Sequence, residues 1–533
     1  MASILASSGR TSRATALNHF NIYLFRNDLR LHDNPGLTNA LAASKKEGSL
    51  LVPLYCFDSR FIGSGAQSRL SQAHKSSPAR AQFVIECVQD LRQRLPQSLV
   101  VGHGKTEAVI EKLVDKIAPK GKVTVFTQRE VTSEELEVDC AIRQLHSVDE
   151  LKTVWGSTLY EVDDLPVEVG QFPNVFTPFR NLVEKKSEIR APLPVPGEED
   201  LREFTLKTED ISDLDDSFGI PTLKSLGYED VEVSESSRHP QSALPDLPGG
   251  ETAGLQRVET YLFTEDRLKS YFETRNGLVG TAYSTKFAPW LSTGCLSPRF
   301  IASECRRYES ERIANKSTYW VVFELMVRDF CRFFALKHGT KIFFRDGITG
   351  GGGEGRKWDL NEAQFKLWRE GRTGYPFVDA NMRELRETGF MSNRGRQNVA
   401  SFLALDMRMD WRYGAEYFES TLIDHDVCSN WVSWAMAAGV TGGRINKFNT
   451  VKQSMDYKAA DFIRMWVPEL ANVPNEYIHE PWKMSKQQLI DYKCANYAGR
   501  CLQTRSFDRG DGGKKFDKKN KNKYKGGSYK MRH

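Results

Sequence analysis

The sequence predicts an α/β domain built on a parallel sheet, followed by an all-α domain. Three observations predict it. Short apolar runs alternate with helix-periodic segments through the first 190 residues, the pattern of a sheet with helices on its faces. Between Arg190 and Gly254 the composition shifts to Pro, Ser, Asp and Glu, as in Ala191–Gly197 (APLPVPG), which reads as a connector with little core of its own. From Leu255 onward the apolar residues recur at helical spacing and aromatics are frequent. At 533 residues the chain exceeds what one compact core accommodates, so two domains are expected on size alone.

Taken in order, residues 1–19 form a leader with Ser, Ala and two Arg and no acid before Asp28. That is the composition of a transit peptide or of a disordered leader. Residues 20–189 form the α/β domain. Ile22–Phe25, Leu50–Phe57, Leu99–Val101 and Lys122–Phe126 read as buried strands, with helices at Arg80–Leu95 and Thr106–Ile117. Ligands of such sheets sit beyond the carboxyl ends of the strands. No Gly-x-Gly-x-x-Gly follows the first strand, so a nicotinamide cofactor is not indicated. Residues 190–254 are the connector and 255–500 the helical domain, with periodic apolar stretches at Tyr319–Leu336 and Asn398–Met409 and a glycine loop at Gly350–Gly353.

Residues 501–533 form a basic tail. From Arg505 to His533 there are 11 Lys+Arg against 3 Asp+Glu, whereas the whole chain has 74 against 69. The body is therefore near neutral, and its overall charge is no argument for nucleic-acid binding. The tail mixes cations with Phe516, Tyr524 and Tyr529, which suits contact with RNA or single-stranded DNA and equally a solvated tail. No stretch of 18 apolar residues is present, which argues against a membrane-spanning helix. The nine cysteines contain no Cys-x-x-Cys pair and read as reduced thiols of an intracellular protein, with no zinc or other metal site.

Several clusters carry potential chemistry. If Asp424–Trp434 enters a helix, Asp426, Asn430 and Trp434 fall on one stripe, an arrangement suited to a flat heteroaromatic ligand; a helix capped by Asp424 or Asp426 explains the same residues. Ser284, Thr285 and Lys286 before Pro289 fit a phosphate site or an ordinary hydroxyl cap. Glu324 and Arg328 lie four apart on an apolar helix, and Asn393 and Arg396 three apart. Each pair reads as a helix-surface interaction or as part of a site. Trp358, Trp411 and Trp434, taken alone, read as core tryptophans.

Longer motifs resemble one family. Phe25–Pro35 (FRNDLRLHDNP) resembles the opening of the photolyase/cryptochrome family, and Tyr283–Arg299 (YSTKFAPWLSTGCLSPR) its flavin phosphate motif. Gly374–Leu385, Met391–Asn398, Asp424–Trp434, Lys447–Asn449, Val451–Gln453 and Trp466–Leu470 resemble the DASH cryptochromes in particular. The resemblance covers about residues 20–485. It implies an antenna-binding α/β domain, with a methenyltetrahydrofolate antenna, and a helical FAD-binding domain. It places Tyr271, Ser284, Thr285, Lys286 and Phe287 on the phosphate and ribose side of the flavin. Glu324, Arg328, Asn393 and Arg396 would surround the cofactor, and Asp424, Asp426 and Asn430 would face its ring. Trp434, Trp411 and Trp358 match the electron relay from proximal to distal, Glu324 the catalytic glutamate beside the lesion, and Glu134 the folate-binding carboxylate, with Glu135 next to it.

Three departures bear on activity. Val327 and Met436 stand where the family carries aromatic residues on the lesion side, and Ala288 replaces a serine near the flavin. Base-to-aromatic stacking contributes about 1–3 kcal/mol, so dimer binding should weaken more than light sensing. The expected function is a blue-light FAD photoreceptor with weak or single-strand-limited repair of cyclobutane pyrimidine dimers; the alternative is a signalling cryptochrome without repair. The expected partners are single-stranded DNA or RNA, with the chain a monomer in the nucleus, the cytoplasm or an organelle.

Overall fold

A computed structural model describes residues 19–502, apart from residues 96, 119–120, 212–213, 229–239, 351–357 and 498. The leader, most of the basic tail and most of the glycine loop read from the sequence lie outside the described residues.

The N-terminal part is a five-stranded parallel sheet: β1 (His19–Phe25), β2 (Leu50–Asp58), β3 (Val100–Gly104), β4 (Lys122–Gln128) and β5 (Glu150–Val154), in the order β3-β2-β1-β4-β5. Four of these match the predicted runs. The fifth (ELKTV) escaped because it is an edge strand, half-exposed and mostly polar. Phe20, Ile22 and Leu24 of β1 enter one core, while Tyr23 and Phe25 enter the other. Both faces are covered, which is why the inner strands read as continuous apolar runs. α1 (Pro35–Glu47) and α2 (Pro78–Arg94) belong to the core of Tyr23 and Phe25, while α3 (Thr106–Ile117) and α4 (Ser133–Arg143) share that of Phe20, Ile22 and Leu24. Asn34 and Ser77 cap α1 and α2, each followed by a proline in the first turn.

The connector is more than a tether. Leu206 N donates to Leu51 O at 2.9 Å, Gly219 N to Val101 O at 2.7 Å and Ser217 O accepts from His103 N at 2.9 Å. The last two close the free edge of β3, a standard protection for an edge strand, and the first pairs with β2 beyond the start of β3. Leu201, Leu206 and Ile211 are buried beside the sheet.

The helical part centres on α5 (Lys316–His338), 23 residues long and started by an Asn315–Thr318 capping box. α9 (Val427–Ala438) packs on it; α8 (Trp411–Thr421) and α7 (Asn393–Ser401) pack on α9, and α6 (Pro376–Thr388) on α7. A π-helical turn, Phe402–Asp406, follows α7, so the predicted run Asn398–Met409 is one helix end and one bulge. Buried charge joins the two parts. Asp33 accepts from Arg299 at 2.8 and 3.0 Å and from Ser297. Asp329 on α5 accepts the backbone N–H groups of Leu159 and Tyr160, each at 2.9 Å. Glu130, just past β4, pairs with Arg332 of α5 at 2.7 Å.

Candidate functional site

The sheet order reverses between β1 and β4, and a crevice is expected at the carboxyl ends of those strands. A cavity of about 190 Å³ opens there, lined by Arg26 and Asn27 after β1, Gln128 at the end of β4 and Glu135 on α4, and across from them by Arg328 and Asp426. Glu134 lies at its rim, with 31% of its side chain exposed. It pairs with Lys75, and with Arg69 at 3.4 Å. Glu135 lies deeper, accepting from Thr132 at 2.6 Å and Asn27 at 3.2 Å. Burial, helped by the nearby Glu130 charge, pushes the Glu135 carboxyl up to about 7.

The second site is a cradle inside the helical part. Its floor is the segment Tyr283–Phe287, which Arg257 shapes by donating to three of the surrounding carbonyls: Thr285 at 3.0 Å, Thr281 at 3.2 Å and Ser284 at 3.3 Å. Lys286 takes a left-handed backbone (φ 59°), an uncommon conformation for a residue other than glycine. Its ammonium is 3.4 Å from the centroid of the Tyr283 ring and 4.2 Å from that of Phe390, with no hydrogen-bond partner. Burial drives its pKa well below that of an ordinary lysine, against the pull of Glu384. Glu384 on α6 is buried, and desolvation raises it to about 8 although Lys286 and Arg396 oppose this. Tyr283 Oη, Glu384 Oε2, Asn381 Oδ1 and Asn398 Oδ1 are also buried without a partner. A buried polar atom left unpaired costs about 1–3 kcal/mol, so such a concentration points to a polar ligand that completes them. Ser284 and Thr285 are half-buried on the same segment, Phe287 and Tyr271 are buried, and the helix that follows has only five residues, Ala288–Ser292.

The start of α9 supplies the anionic side. Asp424 receives the Arg396 guanidinium at 2.7 and 3.0 Å. Asp426 caps α9 by accepting from Ser429 N at 2.6 Å. Burial alone would raise the Asp426 carboxyl; Arg328, 4.0 Å away, and the Ser429 bonds outweigh it and hold it below the usual carboxylate range. The cap and the site are thus one residue in two roles. Asn430 donates to Ala415 O at 3.0 Å, which fixes its amide. Asn393, the first residue of α7, is exposed. Glu324 and Arg328 do not pair with each other, so the reading as a helix-surface ion pair fails. Glu324 instead binds Arg275 at 3.0 Å and the Trp320 indole at 3.1 Å, while Arg328 reaches across to Ser157 O and to Leu291 O. Val327 and Met436 are half-buried.

The three tryptophans lie on successive elements. Trp434 on α9 is buried, and its ring fills the space where a side chain at Gly414 of α8 would stand. Trp411, one turn earlier on α8, is fully buried and donates to Arg345 O at 2.9 Å. Trp358 is half-exposed, and its neighbour Asp359 accepts from Asp410 N, the cap of α8, at 3.0 Å. The order runs from interior to surface. No direct ring contact joins the three among the described residues; Trp434 touches Trp368 and Phe418, and Trp411 touches Trp431.

Sequence reasoning missed Arg257, Arg275 and Glu384. Glu384 had a legible signal: with Asn381 it puts polar groups three apart on a helix whose other inward positions, Asp379 apart, are apolar or proline. Arg257 and Arg275 had none, because their partners lie 28 and 49 residues away.

Comparisons agree with this geometry. A family described as the FAD binding domain of DNA photolyase matches residues 320–504, and one described as DNA photolyase matches residues 21–197. The cryptochrome DASH of Ostreococcus tauri, designated chloroplastic/mitochondrial, is 45% identical over 501 residues, covering 91% of this chain and 90% of the relative. That of Xenopus laevis is 44% identical, covering 88% and 86%. The crystal structure of the Synechocystis sp. PCC6803 cryptochrome superposes with a TM-score of 0.82 at 42% identity, covering 91% of this chain and 97% of that one. A class III photolyase from Agrobacterium tumefaciens reaches 0.72 at 25% identity over 90% and 94%. The chain belongs to the photolyase/cryptochrome family, and the relatives of highest identity among these place it with its DASH cryptochromes.

Proposed function

We propose that this chain is a DASH-type FAD photoreceptor that also repairs cyclobutane pyrimidine dimers in single-stranded DNA. The observation that carries the flavin reading is the cradle of five unpartnered buried polar groups, Lys286, Tyr283, Glu384, Asn381 and Asn398, inside the region that matches an FAD-binding domain. Ser284, Thr285, Lys286 and Phe287 would hold the phosphate and ribose side, with Tyr271 beside them, and Arg328 would lie toward the ring with Asp426. Arg396, Asp424, Asp426 and Asn430 would face the ring, and Asn393 would sit at the mouth. When bound and reduced, FAD supplies an electron on absorbing blue light.

The chain's own residues do the rest. The Arg396–Asp424 and Arg328–Asp426 pairs bring fixed charge to the ring side, and the Ala415 bond holds the Asn430 amide in one orientation. Trp434, Trp411 and Trp358 lead from the cradle to the surface and serve as the route by which the flavin is recharged. Glu324 is the catalytic residue for repair, a half-buried carboxyl able to hydrogen-bond a pyrimidine turned out of its strand. Extruding a base is cheapest from single-stranded DNA, and Val327 and Met436 leave little aromatic surface to repay the cost in a duplex. The crevice suits a folate antenna, with Glu135 and Glu134 as the carboxylates for its pterin.

The test is repair under blue light by dark-purified, photoreduced protein, using thymine-dimer oligonucleotides in single-stranded and duplex form. Restored thymines are quantified by chromatography. Repair of the single strand alone is expected. Repair of neither, in protein with photoreducible FAD, would establish the second reading, a signalling cryptochrome without repair, which the aliphatic Val327 and Met436 favour.

A further inference from the structure

Glu324 is gripped from two sides. Arg275 Nη1 and the Trp320 indole N–H both donate to the same oxygen, Oε1, at 3.0 and 3.1 Å. The Arg275 guanidinium is itself held flat, its central carbon 4.7 Å from the centroid of the Trp320 ring and 5.3 Å from that of Phe272. Trp320 in turn stacks on Phe323 with centroids 4.5 Å apart. Only 13% of the Arg275 side chain is exposed against 33% of that of Glu324, so the pair is screened less than a surface ion pair, chiefly on the arginine side. The grip therefore fixes the rotamer of Glu324 and opposes its protonation.

We propose, resting on the repair reading, that Arg275 is a positioning residue that sets Glu324 as a hydrogen-bond acceptor toward the lesion. Both grips fall on Oε1, so Oε2 is the oxygen that meets a pyrimidine. As long as Arg275 holds the carboxylate, Oε2 can accept from a pyrimidine N–H and cannot donate to a carbonyl; donation requires a proton on Glu324. Burial favours that proton and holds the carboxyl above its usual range, against the opposing Arg275, the Trp320 N–H and Arg394 on α7. The other groups facing Glu324 are the Tyr271 phenol, which stays neutral, and Arg328 one turn along α5. Arg275 is thus the main charge that can shift Glu324 between acceptor and donor.

The infrared carboxyl band of Glu324, assigned by its loss in Glu324→Gln, reads this directly in FAD-loaded protein without DNA. In Arg275→Gln the protonation midpoint of that band should move up by about one pH unit or more, the effect of removing an adjacent opposite charge. Arg275→Lys should restore it toward the native value. The pH profile of single-strand repair should move in the same direction. An unmoved midpoint in Arg275→Gln that keeps its flavin spectrum would overturn the proposal. Should that variant fail to hold flavin, Trp320→Phe removes the second donor and should move the midpoint upward by less; no movement there would overturn it equally. A native protein that repairs nothing would remove the repair reading and leave the infrared result to decide the role of Arg275.

Discussion

The crevice and the cradle both bury charge, and they balance it differently. At the crevice the buried carboxyls are partnered: Asp58 has Arg60 and Thr106, Glu135 has Thr132 and Asn27, and beside them Glu130 has Arg332 and Asp139 has Arg26. In the cradle, Lys286 and Glu384 form no ion pair among the described residues, and each keeps a polar atom without a partner. The crevice leaves Ser157 Oγ, Arg332 Nε and His425 Nδ1 unpartnered along its wall, but its carboxyls are satisfied before any ligand arrives. The cradle's charged groups are satisfied only with one. The difference teaches which ligand the fold depends on: a group in the cradle should stabilise the protein strongly, and a group in the crevice should be dispensable.

The largest expected effect tests the cradle. Lys286→Met removes the one cation buried in the Tyr283–Phe287 segment. A charge-assisted hydrogen bond contributes about 1.5–3 kcal/mol, so FAD affinity should fall roughly 10- to 100-fold. Fluorescence titration of flavin-free protein measures it. Affinity unchanged in this variant would break the comparison, because Lys286 would then be a structural lysine. The tryptophan route adds a second cradle test: Trp434→Phe should abolish steady-state photoreduction while leaving FAD bound, and Trp358→Phe should slow it by limiting exchange with external reductant.

Glu384 sharpens the comparison through pH. Its carboxyl stands at about 8 in the folded flavin-free protein, against about 4.3 in an unfolded chain. Between those values the folded state binds the extra proton, so stability must fall as pH rises. The loss begins near the lower value and is complete above the upper one. Lys286 works in the opposite sense: its depressed pKa makes stability rise with pH from its folded value up to that of an unfolded lysine. Glu384→Gln removes the first effect. Its melting temperature should exceed the native one at pH 8, and the gap should close toward pH 5. A constant gap would show that Glu384 keeps its ordinary charge in the cradle.

How much of this was legible in the sequence follows from the range of each interaction. β1, β2, β3 and β4 were legible because both their faces are apolar, and Asp426 because a cap acts within three residues; Asp424, the other cap the sequence offered, meets Arg396 28 residues away instead. β5 was not, since an edge strand needs only one covered face. The connector's docking was invisible because backbone groups make it, and its residues carry no side-chain signature of a strand. The same limit explains the site. Asp426 and Asn430 share a stripe that spacing reveals, whereas Arg257 and Arg275 meet their partners only through the tertiary fold. The adjacent pair Glu134 and Glu135 marks the boundary: the sequence singles out the position on α4, and only burial separates a rim residue from an inner one.

That separation yields the smallest effect and the one most specific to the crevice. Glu134 is engaged by Lys75 and Arg69 at the rim, where an exposed ion pair contributes about 0–1 kcal/mol. Glu135 faces the cavity from a buried position and is shared only with Thr132 and Asn27. A pterin amide bound to a buried carboxylate makes the stronger class of hydrogen bond. Glu135→Gln should therefore weaken retention of added methenyltetrahydrofolate about 10-fold or more, and Glu134→Gln only a few-fold. Equilibrium dialysis with the folate, read by its own absorbance, measures both, and neither change should alter FAD content or melting temperature by more than a small amount. The reverse order would place the antenna at the rim. It would also mean that the buried carboxyl of the crevice serves the join between the sheet and α5, where Glu130 and Arg332 already meet.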